Sequence, residues 1–267
     1  MTATEHTLRA NFHTHTPRCF HAQGTEREYI EEAIAAGIRI LGFSDHAPMV
    51  FPPEYHSGFR MPVEQTRDYA ETLAALREEY RDDITICIGY EMEYYPEFFD
   101  ASLANICAYP VDYLILGQHF IGNEVERMYS GAYTEDGAYL GRYVDGVIDG
   151  LETGVYTYLA HPDLPNFGGD PAVYEAHMRR LCEAAKRLAV PLEINFLGLK
   201  EHRQYPCERF WSIAAEVGCQ AIFGCDAHSP GMLSDRQVLA DAYAYAEKFG
   251  LTVTDAPVLR FPHARRV

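Results

Sequence analysis

What most restricts the fold of this chain is a repeated alternation. Short runs rich in Val, Ile, Leu, Tyr and Phe, too brief for helices, are separated by longer segments with helical spacing. The runs fall near residues 8–12, 38–44, 84–90, 112–118, 155–160, 190–196 and 220–225, and read as strands buried on both faces. Helical patterns lie between them. EREYIEEAIAAG ends in a glycine suited to a C-cap, as does ERFWSIAAEVG, and PVEQTRDYAETLAALREEY carries apolar positions at helical spacing. In the later segments PAVYEAHMRRLCEAAKRLA and SDRQVLADAYAYAEKFG, Pro171 suits a first turn and Ser234 is placed to cap. Strand followed by helix along the whole length, with no internal repeat or low-complexity linker, predicts an α/β fold of the parallel barrel type rather than an open sheet. At 267 residues and 48% hydrophobic content, a single domain spanning residues 1–267 is expected.

Most of the runs end in histidine or carboxylate. NFHTHT brings His13 and His15, GFSDHA brings Asp45 and His46, and IGYEME brings Glu91 and Glu93. LILGQHF adds His119, YLAHPD adds His161, and FGCDAH adds Asp226 and His228. In a parallel barrel the carboxyl ends of the strands converge on one mouth, so these clusters are predicted to meet there. His13/His15 and Asp226/His228 are two residues apart, which in extended chain puts both members on one face. Imidazole and carboxylate are the usual ligands of Zn, Fe and Mn, and one ion needs three or four of them. So many ligands imply two or three ions. Of the two carboxylates in the third run, Glu91 is favoured over Glu93. Asp45 is expected to orient an imidazole rather than to bind metal. His6, His56, His177, His202 and His263 fall outside the strand-end pattern and are read as surface or core residues.

Composition narrows the function. A formal charge of −17, with no run rich in Lys or Arg, argues against a nucleic-acid surface. No apolar stretch approaches the length of a membrane span, and MTATEHTLRA lacks the features of an export signal, so a cytoplasmic protein is expected. The seven cysteines include no C-x-x-C pair and read as small buried hydrophobes rather than as a disulfide framework or zinc ribbon. No P-loop and no G-x-S-x-G elbow occurs, which removes the main support for nucleotide-cradle and serine-hydrolase readings.

Taken in order, HTH, the histidine of CFHAQ (His21), SDH, GYE, GQH, AHPD and CDAH resemble the polymerase and histidinol phosphatase (PHP) superfamily of metal-dependent phosphoesterases, across essentially the whole chain. GFRMPVEQTRDY, AHPDL, EINFLGLKEHRQYP and GCDAHSPGML are similar to its stand-alone histidinol-phosphate phosphatases. The resemblance implies a distorted (β/α)7 TIM-like barrel with three divalent transition-metal ions at the C-terminal ends of the strands. By analogy His13, His15, Glu91 and Asp226 would hold one ion, and Glu91 would bridge to a second held by His119 and His161. His21, His46 and His228 would hold the third.

The activity so implied is phosphomonoester hydrolysis by a metal-bridging hydroxide, with Glu91 and Asp226 as catalytic carboxylates. The substrate would be L-histidinol phosphate and the second product inorganic phosphate. Arg60 and Lys200 are the expected phosphate contacts, with Asp163 and Gln118 as further substrate-binding positions; for Asp163 a bond within its own loop is the favoured alternative. Where histidinol phosphatases commonly read EINTSGLR, this chain has Phe196, Leu197 and Lys200 in place of two small hydroxyl residues and an arginine. Those departures keep open a different small phosphate, such as a nucleoside bisphosphate or cyclic phosphate. A noncatalytic metal-stabilised module is the third reading.

Overall fold

The computed structural model describes residues 6–262. Eight strands, all parallel, lie side by side in chain order: β1 (Ala10–Asn11), β2 (Ile40–His46), β3 (Thr85–Glu91), β4 (Tyr113–Leu116), β5 (Tyr156–Leu159), β6 (Leu192–Asn195), β7 (Gln220–Gly224) and β8 (Thr252–Thr254). Every one of the seven apolar runs contains a strand, and the sheet curls into the expected distorted barrel. The eighth strand was not foreseen. It is three residues long, exposed or half-buried throughout, and pairs with β7, so it carries no apolar run to announce it.

Eight helices pack outside: α1 (Glu26–Ala36), α2 (Thr66–Glu79), α3 (Pro96–Ile106), α4 (Gly137–Glu152), α5 (Pro171–Arg187), α6 (Phe196–Lys200), α7 (Glu208–Val217) and α8 (Arg236–Lys248). Local chemistry sets their ends. Thr25 and Glu28 form a reciprocal capping box at the start of α1, and Gly37 ends it in the left-handed region at φ 84°. Pro171 does occupy the first turn of α5. Ser234 does not cap α8; Asp235 does, its carboxylate accepting from Val238 N. Helix α4 escaped the sequence reading because four glycines dilute its helical signal. Three of them admit neighbours: a methyl at Gly137 would lie 2.8 Å from Val173 Cγ1, one at Gly150 2.8 Å from Tyr94 Cβ, and one at Gly141 3.0 Å from the His177 ring.

The core has two layers. Between sheet and helices lie side chains such as Tyr29, Phe43, Ile88, Leu114, Leu181 and Trp211. Within the barrel, Phe12, Cys87, Tyr113, Ile115, Tyr158 and Ile222 form a separate plug. Tyr113 is its centre, donating its hydroxyl to the carbonyls of Phe12 (2.7 Å) and Phe43 (3.1 Å). Gly42 and Gly89 make room for it, since a Cβ at either would fall 2.3 or 2.4 Å from the tyrosine. From below, Leu259 packs on the plug and Arg260 N donates to Thr157 Oγ1. All seven cysteines are free thiols, six of them buried. Among the described residues no helix is long and apolar enough to cross a membrane. His263 lies outside the described residues.

Candidate metal centre

Strand alternation delivers the chemistry to the axis. Cys87 and Gly89 are followed at period two by Glu91, Tyr113 and Ile115 by Gly117 and His119, and Ile222 and Gly224 by Asp226 and His228. Glu91, 1% exposed, stands in the middle. Its Oε1 lies 2.8 Å from His161 Nε2 and 3.5 Å from His119 Nε2. Its Oε2 lies 3.0 Å from His46 Nδ1 and 3.6 Å from both His13 Nε2 and His15 Nε2. Asp226 forms a second focus, with Oδ1 3.1 Å from His15 Nε2, 3.5 Å from His13 Nε2 and 3.5 Å from His228 Nδ1. The His21 ring stacks on His228 at 4.7 Å. All nine residues expected to bind metal therefore share one region. Backbone gives way for them: a Cβ at Gly117 would sit 1.9 Å from Glu91 Oε1, and Asp226 leaves its strand at φ 48°.

Behind the ring stands a row of buried carboxylates. Asp45 Oδ1 is 3.4 Å from His15 Nδ1, Glu93 Oε1 is 2.8 Å from His119 Nδ1, and Glu193 Oε1 is 2.7 Å from His13 Nδ1. In each pair Nδ1 is engaged and Nε2 is left facing inward, which is how a carboxylate sets imidazole tautomer and aim. Asp45 occupies the orienting place anticipated for it. Glu193 was missed, though it also accepts from His161 N and from Asn195 Nδ2; its only signal was an acidic residue in an otherwise apolar strand.

The charges are mutually dependent. Burial opposes protonation of His15, but the adjacent carboxylates of Asp226 and Asp45 raise its pKa to about 9. His13 is likewise raised, against burial, by Glu193, Asp226 and Glu91. Burial and the neighbouring His15 charge push His46 down to about 3 and His228 to about 4. The imidazoles hold Glu91 and Asp226 well below the ordinary carboxylate range despite burial. A concentrated negative focus thus calls for cations, and without metal it draws protons onto His13 and His15.

Metal ions fit this set. His13 Nε2, His15 Nε2, His46 Nδ1 and Glu91 Oε2 are buried, converge on common space and make no hydrogen bond. Unsatisfied buried acceptors are costly, and a cation with nitrogen and oxygen ligands would satisfy them. Three groups, His13–Glu91–His161, His13–His15–Asp226 and His15–His46–His228, each gather their ligand atoms within 4.8 Å. Cys19 makes a further such group with His21 and His228.

A cavity of about 530 Å³ opens over the centre. The four expected substrate contacts do not line it. Arg60 is buried, held by Glu93, Glu124 and the Ala47 carbonyl. Lys200 points to solvent and pairs with Asp235 at 2.8 Å. Asp163 accepts from Cys207 N and Trp211 Nε1, so it neither faces the cavity nor bonds within its own loop but ties the loop after β5 to the start of α7. Gln118 accepts from Tyr94 N and donates to the Phe120 carbonyl. The walls come instead from Phe59, Phe120, Tyr129, Leu197, Tyr205 and the pair Glu201–Arg203. Among the described residues that line the cavity, Arg203 is the one lysine or arginine; it donates to Glu201 and to the Tyr205 hydroxyl. Of the departures at 196, 197 and 200, only Leu197 reaches the cavity; Phe196 packs against Phe223.

The sequence pattern of the PHP domain matches residues 11–196. A probable histidinol-phosphatase of Deinococcus radiodurans is 32% identical over 248 residues, covering 86% of this chain and 89% of its own. Another from Schizosaccharomyces pombe is 24% identical, covering 90% and 86%. A solved structure from Lactococcus lactis, a histidinol phosphate phosphatase complexed with zinc, L-histidinol and phosphate, superposes with a TM-score of 0.68 at 20% identity. It covers 93% of this chain and 96% of its own, a likeness of fold.

Proposed function

The chain belongs to the PHP domain family, and from that premise we propose that it is a metal-dependent phosphomonoesterase hydrolysing L-histidinol phosphate to L-histidinol and phosphate. The observation that carries the chemistry is the convergence of seven histidines on Glu91 and Asp226 at the floor of an open cavity. The substrate is supported by the names of the relatives and by the walls, which offer aromatic faces and an acid to a cationic, imidazole-bearing alcohol.

We assign His13, His15, Glu91 and Asp226 to one ion, Glu91, His119 and His161 to a second, and His21, His46 and His228 to a third, of the Zn, Fe or Mn type. Ions bound there would acidify water and offset charge on the phosphoryl group. The protein's own part is placement. Asp45, Glu93 and Glu193 fix which imidazole nitrogen faces inward. Asp226, kept ionised by the imidazoles around it, would serve as an anionic ligand through Oδ1. Arg203 presents the positive charge of the rim to a phosphate oxygen, while Glu201, Phe59, Tyr129 and Tyr205 face the ammonium and ring.

Leu197, standing where relatives carry a small hydroxyl residue, narrows the cavity and favours one second reading, a different small phosphate ester. Phosphate release should be measured across histidinol phosphate, an aryl phosphate, nucleoside bisphosphates and cyclic phosphates, with Mn and Zn supplied separately. Histidinol phosphate should lead in kcat/KM by about 10-fold or more, the equivalent of one desolvated ammonium contact. A nucleoside bisphosphate in first place would overturn the substrate and leave the metal centre standing.

A further inference from the structure

Arg60 sits in the loop between β2 and α2, and its guanidinium is spent entirely on three partners. It donates to Glu93 Oε1 at 2.9 Å, to Glu124 Oε2 at 2.8 Å through Nε, and to the Ala47 carbonyl at 2.9 Å. The side chain is 2% exposed, with the Phe59 ring against its cationic face at 4.4 Å. Each partner leads back to the centre. Glu93 holds His119 Nδ1 at 2.8 Å. Ala47 follows His46 directly, and its N–H donates to the Glu91 carbonyl. Glu124 belongs to the β4–α4 loop and also accepts from Tyr55. Phe59, adjacent to Arg60, stands edge-on to His46 at 4.9 Å and lines the cavity.

We propose that Arg60 is a positioning residue: it fixes Glu93 so that this carboxylate holds the His119 ring through Nδ1, leaving His119 Nε2 aimed at Glu91 as a metal ligand. The need is electrostatic. Glu93 and Glu124 are both almost fully buried and share one cation. Without Arg60, Glu93 would be a buried carboxylate with no fixed partner and would turn away. His119 would then lose its aim. Outer partners of metal-bound histidines typically contribute 10- to 100-fold in metal affinity.

The inference rests on the metal-centre reading, so wild-type metal content after dialysis against a graded chelator series is measured first. Fewer than two ions per wild-type chain would sink that reading by itself. With the wild type loaded, Arg60→Met should release one ion per chain at about 10- to 100-fold lower chelator strength. Its kcat should fall while KM stays within about threefold, because Arg60 does not line the cavity. Arg60→Lys, which keeps the charge but not the fork of donors, should recover part of both losses. Glu93→Gln should lose the same ion, and the double variant should be no worse than the worse single one. Should Arg60→Met fail to fold, Arg60→Lys and Glu93→Gln carry the same metal readout. Unchanged metal affinity in the folded variants, or a raised KM with full metal content in an Arg60 variant, would overturn the proposal.

Discussion

Glu91 faces five imidazoles with two oxygens, and no other side chain of the centre has so many partners. Replacing it by Gln keeps the shape and deletes the charge that the two ions assigned to it would require, so Glu91→Gln should lower kcat by at least about 10²-fold, with metal content falling in parallel. Near-normal turnover in Glu91→Gln beside an inactive Glu93→Gln would show that the wrong carboxylate was placed at the centre. Glu193→Gln is a subtler test, since the amide can still accept from His161 N. The amide nitrogen then faces His13 Nδ1, so the charge and the acceptor opposite that ring are lost together. Metal affinity should drop by about 10- to 100-fold, read by chelator competition; an unchanged value would mean that Glu193 only fills space.

Among elements, the strand ends were legible and the loops were not. Period-two spacing after β1 and β7 and the runs of apolar residues point to where candidate ligands lie, because a strand fixes side-chain direction every second residue. Arg60 and Lys200 read as phosphate contacts from their charge and, for Lys200, from standing where the resembled phosphatases carry an arginine. Nothing in a loop sequence says whether a guanidinium turns inward to Glu93 and Glu124 or outward to a ligand. The same limit hid Arg203, three residues beyond the end of α6 but lining the cavity. Arg203→Ala should therefore raise KM for the phosphate ester by about 10-fold, whereas Lys200→Ala should change neither KM nor kcat by more than about twofold; steady-state kinetics of the pair decides between them. Gly117 in the turn after β4 gives a further check. A methyl there collides with Glu91 Oε1, so Gly117→Ala should displace the carboxylate and cost about 1–3 kcal/mol in stability along with most of the activity.

On the scale of the whole molecule, the centre concentrates buried like charges that the fold holds together. Bound ions stabilise only the folded chain, by about 4 kcal/mol for each site at a free concentration near 1,000 Kd. Stripping one ion should then lower Tm by roughly 10 °C for a domain of this size, followed by calorimetry with and without chelator. A Tm indifferent to chelation would contradict a filled centre.

The plug of Phe12, Tyr113, Ile115, Tyr158 and Ile222 beneath Glu91 bears on traffic through the molecule. With the barrel packed below, whatever enters the cavity must leave by the same mouth. A phosphate drawn to the floor is then trapped beneath the alcohol it was attached to. The alcohol must depart first and inorganic phosphate last, so phosphate should inhibit competitively against substrate and the alcohol noncompetitively. Initial-rate measurements with each product added would register the order of departure, and the reverse pattern would mean that phosphate has a second way out.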